Sequence, residues 1–497
     1  MKRFLILLAA VLSMGVQAAE ETDYALTIYS RAQPGAVDPA LYRPGGRFQA
    51  GAVPGYATVR QGQSFDFGQG ISELRLQDVA SLIDPTTVTI TAPGGGDAIR
   101  VLEQNFEFDL VGSEKLLQRY LDRLITVSRS TGSGTERVTG TLLSTDGGLV
   151  LRKPDGGVQI IGEYRDIELP DLPGGLITRP TLVWRVQSEA AGSRRMRVNY
   201  QTGGMTWWAD YNATLDDAGG CRLDLNAWVS IVNQSGAGYP DTRLKLVAGD
   251  VQRIDQREPR VMMEMARAAD AAAATGFAEK SFFEYHLYTL PRRTSLPDNS
   301  TKQLELFPAA EGVPCARDYI HDARASRPGY GSRPYLERSP GGQPDGDVSV
   351  HLSFRNDAAS GLGMPLPAGR LRVNKEDADD GTLEFIGEDI IEHTPRDEEL
   401  DIRLGSAFDI VVDRRQTDFH VDTKRRTLSE SFEIVIRNHK DSAVTVRLNE
   451  ALYRWVNWEI ATASHEFEKL DARSVQFPVE VAANGEAVLD YEVRYDW

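Results

Sequence analysis

What most constrains this chain is a two-residue alternation of apolar and polar side chains that recurs along much of its length. At the C-terminus Tyr491, Val493, Tyr495 and Trp497 fall on one face of an extended segment, and Glu492, Arg494 and Asp496 on the other. Leu223, Leu225, Ala227, Val229 and Ile231 share a face in the same way, as do Phe432, Ile434 and Ile436, and Val444, Val446 and Leu448. Successive strand side chains point to opposite sides of a sheet, so this period suits an antiparallel sheet with one face over a core. Turn signals separate the runs: Asp146-Gly147, Asp155-Gly156, Asp380-Gly381 and Asn484-Gly485 tolerate the positive φ of tight hairpins. The expected fold class is all-β and mainly antiparallel, with tandem β-sandwich domains and few helices.

Two segments break the pattern. Residues 113–124 place Leu117, Tyr120, Leu121 and Leu124 on one helical stripe, with Ser113 as N-cap and Glu114 suited to the positive helix start. Short, strongly turned strands follow at 125–128, 136–144, 149–152 and 158–161. A helix ahead of such strands predicts a small SH3-like or Sm-like barrel over 113–168. Residues 259–276 have high helix propensity and end at Gly276, which predicts a helical insertion between strands. Residues 323–346 are rich in Gly, Pro and Arg and read as a flexible linker or long loop. The division that results is a leader at 1–18, an N-terminal β domain at 19–112, the helix and small barrel at 113–168, a central sandwich at 169–322, the linker, and a C-terminal sandwich at 347–497.

The leader carries Lys2 and Arg3, an apolar run from Phe4 to Leu12, and small residues at Val16-Gln17-Ala18. This is the pattern of a secretory signal peptide cleaved near Ala18. The apolar run is too short to span a bilayer, which takes about 20 residues, and no later segment is long and apolar enough. The expected location is the periplasm or the exterior. With 55 Lys and Arg against 72 Asp and Glu, the net charge is −17. Nucleic acid and anionic lipid both demand clustered cations, so neither is an expected partner.

Two cysteines, Cys221 and Cys315, are the whole complement. An even number in an oxidising compartment favours a disulfide between them; two separately buried thiols are the alternative. No residue pattern predicts catalysis. His465-Glu466 lacks the second histidine of a zinc-protease helix. Ala359-Ser360-Gly361-Leu362-Gly363 has alanine where a nucleophile elbow needs its first glycine. The acidic run Glu376–Gly381 puts Ala378 at a ligand position of a calcium loop, and Gly387 where its glutamate belongs, so a hairpin tip is expected. No metal or organic cofactor is expected. One aromatic cluster remains, Met205-Thr206-Trp207-Trp208-Ala209-Asp210-Tyr211. On a strand Trp207 and Tyr211 share one side, and Trp208 and Asp210 the other. One tryptophan then enters the core while its neighbour meets a second layer or solvent. Trp207, Trp208 and Tyr211 are therefore candidates for a sugar-binding platform, against the alternative of a core strand between two layers.

MTWWADY (205–211), WVSIVNQSG (228–236), LKLVAGD (244–250), LPDNSTKQLEL (296–306), LPAGRLRVNKED (366–377), FIGEDIIEHTPRDEEL (385–400), IRLGSAFDIVVDRR (402–415) and FEIVIRNHK (432–440) occur in order and with matching spacing. In these the chain resembles the DUF4139 family, which includes proteins named mucoidy inhibitor A, over roughly residues 180–497. It departs from that type in lacking sustained heptads, so a role tied to a long coiled coil does not carry over. The resemblance implies β-sandwich architecture and an extracytoplasmic setting; it implies no reaction and no functional residues. The expected function is that of an exported, non-enzymatic envelope protein that binds a protein or polysaccharide. The alternative is a cell-wall or polysaccharide hydrolase whose carboxylate pair forms only in the fold.

Overall fold

The computed structural model describes residues 22–30, 53–93, 99–131, 134–171, 173, 176–216, 220–249, 251, 277–282, 285–323, 333–338 and 347–497. Strand makes up 67% of these residues and helix 3%, in several mostly antiparallel sheets. The alternation read from the sequence becomes burial: Thr427–Asn438 alternates between half-buried and buried along all of its length, and Leu489, Tyr491, Val493 and Tyr495 turn inward from Gly485–Asp496. Among the turns, Asn484 itself holds positive φ, as does Gly381 at the acidic hairpin tip.

A ten-stranded sheet organises the molecule. Its order is Leu383–Ile391, Gly369–Glu376, Met205–Asp216, Arg222–Asn233, Ser300–Asp322, Val444–Ala451, Ser474–Val481 and Glu468–Lys469, with Val348–Arg355 joining Ser300–Asp322 to Glu399–Ser406. The 23-residue strand Ser300–Asp322 carries this sheet across two cores. Its first part pairs with Arg222–Asn233 and faces a core shared with an eight-stranded and a three-stranded sheet. Its last part pairs with Val348–Arg355 and Val444–Ala451, where a four-stranded sheet packs over a second core. Strands from 22–107, 181–203 and 239–289 interleave in the eight- and three-stranded sheets, so the segments 19–112 and 169–322 share one core. Parallel pairings such as Met205–Asp216 with Gly369–Glu376 join segments far apart in sequence, as a crossover requires.

Three expectations need amendment. The helix is Ser113–Arg119, with Gly112 rather than Ser113 as N-cap and no side-chain cap. Asp122 adopts positive φ and donates its N–H to Leu142 O, which turns the chain into the next strand and leaves Leu121 and Leu124 exposed. The small domain after it is not a closed barrel. Its five strands run Asp166–Glu168, Leu124–Thr131, Gly134–Ser144, Leu149–Arg152, Val158–Ile161, so the last returns beside the first, but the two outer strands do not pair. Part of the linker is packed: the Arg454 guanidinium donates to the carbonyls of Tyr335 and Glu337, and Leu336 meets the C-terminal core. The leader and the insertion 259–276 lie outside the described residues.

Candidate functional site

The aromatic strand Met205–Asp216 sits between Arg222–Asn233 and Gly369–Glu376. Trp207, Ala209 and Tyr211 turn inward and are buried. Trp207 meets Tyr288 edge to face, and the Tyr211 hydroxyl donates to Pro367 O at 2.7 Å. Burial pushes the Tyr211 phenol well above its ordinary range. Trp207 and Tyr211 therefore cannot form a platform for a ligand; the apolar stripe Leu223–Ile231 on the neighbouring strand draws that face into the core.

Trp208 and Asp210 lie on the opposite face. Register places Trp208 across from Ser230, and Asp210 across from Trp228, which is 39% exposed. The two tryptophans are thus diagonal cross-strand neighbours, about 7–8 Å apart at the backbone. A polar chain crosses five adjacent strands beside them. Gln303 Nε2 donates to Ser230 Oγ at 3.2 Å, and Ser230 Oγ donates to Asp210 Oδ2 at 2.9 Å. Asp210 Oδ1 lies 3.7 Å from Arg372 Nη1, whose Nε lies 3.3 Å from Glu388 Oε2. Trp228 and the half-buried Trp208 flank this chain, whose more exposed members are Gln303, Arg372 and Glu388, with Ser230 buried beneath them; a pyranose stacks its C–H face on an aromatic ring and needs polar partners for its hydroxyls at the rim. No sequence motif marks Trp228 as a site residue, although the inward stripe Leu223–Ile231 implies that it faces outward. Its pairing with Trp208 needs the hairpin register.

The described residues also contain one trio of hydrolytic residue types. His351 Nδ1 lies 2.9 and 3.1 Å from the Asp401 oxygens, and its Nε2 lies 3.0 Å from Ser349 Oγ. Nucleophile, base and orienting acid stand in that order in serine hydrolases. Here the exposure runs the wrong way: Ser349 is 8% exposed, the His351 side chain 16% and the Asp401 side chain 58%. Ser349 Oγ moreover donates to Ile320 O at 2.9 Å. The attacking atom is the deepest of the three, and the trio ties three strands together. Two buried acids, Glu430 and Glu450, are each held by an arginine. Arg414 donates to Glu450 through Nε and Nη2, and Arg454 Nε lies 2.7 Å from Glu430 Oε2 as an ion pair without hydrogen-bond alignment.

Cys221 and Cys315 form a disulfide, with Cα atoms 5.0 Å apart. It sits where Arg222 pairs with Pro314, and Cys315 N–H also donates to Cys221 O at 3.0 Å. At the acidic hairpin Asp377 accepts from Asp379 N–H, and Asp380 from Thr382, so these carboxylates serve the turn itself. Among the described residues no group of three or more His, Cys, Asp or Glu is arranged to hold a metal. No helix among them is long and apolar enough to cross a membrane. The family model for a domain of unknown function (DUF4139) matches residues 196–497. No curated protein and no solved structure matches the chain.

Proposed function

The chain belongs to the DUF4139 family, and from that premise we propose that it is an exported, non-enzymatic envelope protein that binds polysaccharide on the outer face of its ten-stranded sheet. The observation that carries this reading is the diagonal pair Trp208 and Trp228 on the same face as, and beside, the Gln303–Ser230–Asp210 hydrogen-bond chain. Aromatic rings at the centre of a binding surface supply much of its energy, and a fixed polar rim supplies orientation. The leader 1–18 and the Cys221–Cys315 bridge both fit an oxidising extracytoplasmic compartment. Membrane attachment is not part of the reading. The hydrolase reading rests on Ser349, His351 and Asp401, and the burial of Ser349 speaks against it.

The test is retention of the purified protein on immobilised capsular and cell-wall glycans, with W208A and W228A as variants. Each substitution is expected to weaken retention at least about tenfold, or ~1.4 kcal/mol. Equal binding by the W208A/W228A double variant would refute the site. Turnover of any of these glycans would refute the non-enzymatic role. The compartment is checked by the intact mass of exported protein, which is expected to lack residues 1–18.

A further inference from the structure

The eight-stranded sheet turns Leu26, Ile28, Val59, Val198, Leu244 and Leu246 onto the shared core, so the alternate residues of the same strands face outward. Register sets those residues in rows across Tyr239–Ala248, Asp23–Ser30, Gly55–Phe67 and Gly192–Gly203. Lys245, Thr27, Thr58 and Gln201 form one row, and Arg243, Ala25, Arg60 and Asn199 the next. Asp23, Gly62 and Arg197 form a third across the last three strands. Adjacent strands lie about 4.8 Å apart, so Arg243 and Arg60 stand about 10 Å from each other, and Arg60 and Arg197 are diagonal neighbours about 7–8 Å apart at the backbone. Arg60, Arg197, Arg243 and Lys245 are all exposed. In a chain whose net charge is −17, this face therefore gathers cations.

We propose that this face binds an anionic polysaccharide laid across the strands. The ligand class rests on the polysaccharide reading above, while the site shares no residue with the tryptophan pair. Charge carries the argument. Among the described residues the side chains of Arg60, Arg197 and Lys245 form no ion pair and no hydrogen bond. Asp23, the carboxylate of the third row, is already compensated: Arg293 Nη2 donates to it at 2.7 Å and Arg243 Nη2 lies 3.4 Å away, which holds the acid below its ordinary range. Asp84, beyond Gln201 on the neighbouring strand, accepts from the Thr86 N–H and hydroxyl in its own turn. Three cations thus remain without a counter-charge, and a guanidinium fork matches a carboxylate with two hydrogen bonds. Thr27, Thr58, Asn199 and Gln201 stand among them, half-buried and able to donate to and accept from sugar hydroxyls. Other polyanionic partners fit less well. These rows hold no aromatic ring for a nucleobase to stack on, and no large apolar side chain to anchor a protein or enter a bilayer.

The experiment titrates the full disulfide-bonded protein with an oligogalacturonate, a neutral maltooligosaccharide of the same length, a single-stranded oligonucleotide and anionic phospholipid vesicles, at ~20 and ~200 mM salt. Oligogalacturonate is expected to bind at least about tenfold more tightly than each of the other three at the lower salt, and to weaken at the higher, where charges are screened. The variant R60Q/R197Q/K245Q is expected to lose that preference; its three side chains are exposed, so the fold does not depend on them. R152Q/K153Q/R165Q, which removes the same charge from the small domain, is expected to keep the preference. W208A/W228A is expected to keep it too, so failure of the tryptophan site and failure of this one are read apart. The proposal is overturned if oligogalacturonate does not bind, if the maltooligosaccharide, the oligonucleotide or the vesicles bind as tightly, or if R60Q/R197Q/K245Q retains the preference. An equal loss in R152Q/K153Q/R165Q would reduce the effect to net charge, and a loss in W208A/W228A would move the ligand to the tryptophan face; either overturns this site.

Discussion

Replacing Glu450 with leucine is expected to cost far more than replacing Glu450 and Arg414 together. In the C-terminal sandwich the Arg414 side chain is 6% exposed and that of Glu450 1%. Glu450 accepts from Arg414 Nε at 3.1 Å and Nη2 at 2.9 Å, and from the Tyr491 hydroxyl at 2.8 Å. The guanidinium carbon sits 3.8 Å above the centre of the Phe432 ring. Burial works against the charge on Arg414, and the Glu450 carboxylate more than offsets it, holding the guanidinium above its ordinary range. Removing Glu450 alone strands that charge in the core, and breaking a buried pair in this way costs about 3–5 kcal/mol. The variant R414M/E450L, compared in a Tyr491→Phe background so that the buried hydroxyl both groups hold is not left unpaired, removes both charges and keeps apolar volume against Phe432, and is expected to lie within about 1 kcal/mol of that background or above it. The assay is urea unfolding read by amide exchange in Ile410–Asp422 and Val444–Ala451, where the pair is seated. A cost below about 1 kcal/mol for E450L would mean that water reaches the pair. A double variant as unstable as the sum of the two single ones would mean that the two charges are not coupled. Either result refutes the reasoning.

The Cys221–Cys315 bridge spans 94 residues of sequence, and in the chain-entropy account closing a loop of that order contributes up to about 4.7 kcal/mol; C221A/C315A is expected to lose about 2–5 kcal/mol in urea unfolding, and a reductant should then have no further effect, whereas unchanged stability would contradict the account. Tyr200, Tyr211, Tyr239, Tyr288, Tyr491 and Tyr495 are raised by burial, Tyr239 to about 12. The unfolded chain loses these protons near pH ~10 while the folded chain keeps them, so stability is full below that pH and falls above it, by about 1.4 kcal/mol per unit for each phenol. The phenolate absorbance of these six tyrosines is expected to appear together with the loss of circular dichroism above about pH 10; their ionisation in a protein that keeps its circular dichroism would count against it.

The local pattern of this chain already determined its class. Alternation sorts side chains onto two faces without reference to the rest of the molecule, and Asp-Gly or Asn-Gly pairs mark where strands reverse. Even Glu430 is in phase with Leu428, Phe432 and Ile434, and so belongs to the buried face. What the pattern cannot carry is the identity of the neighbour. In MTWWADY both faces bear an aromatic residue, so the strand alone does not say which tryptophan goes inward; Leu223–Ile231 and the cores above them decide it. The stripe 113–124 overruns the helix Ser113–Arg119, because Asp122 turns the chain through a hydrogen bond to Leu142 that no periodicity signals. Pairing is settled at long range. Trp228 meets Trp208 through hairpin register, Cys221 meets Cys315 because Arg222–Asn233 lies against Ser300–Asp322, and Arg414 finds Glu450 36 residues away on another sheet. A period of two records which side of a sheet a residue occupies, but charge compensation, stacking and cavities depend on the distance between strands, and that is set by packing.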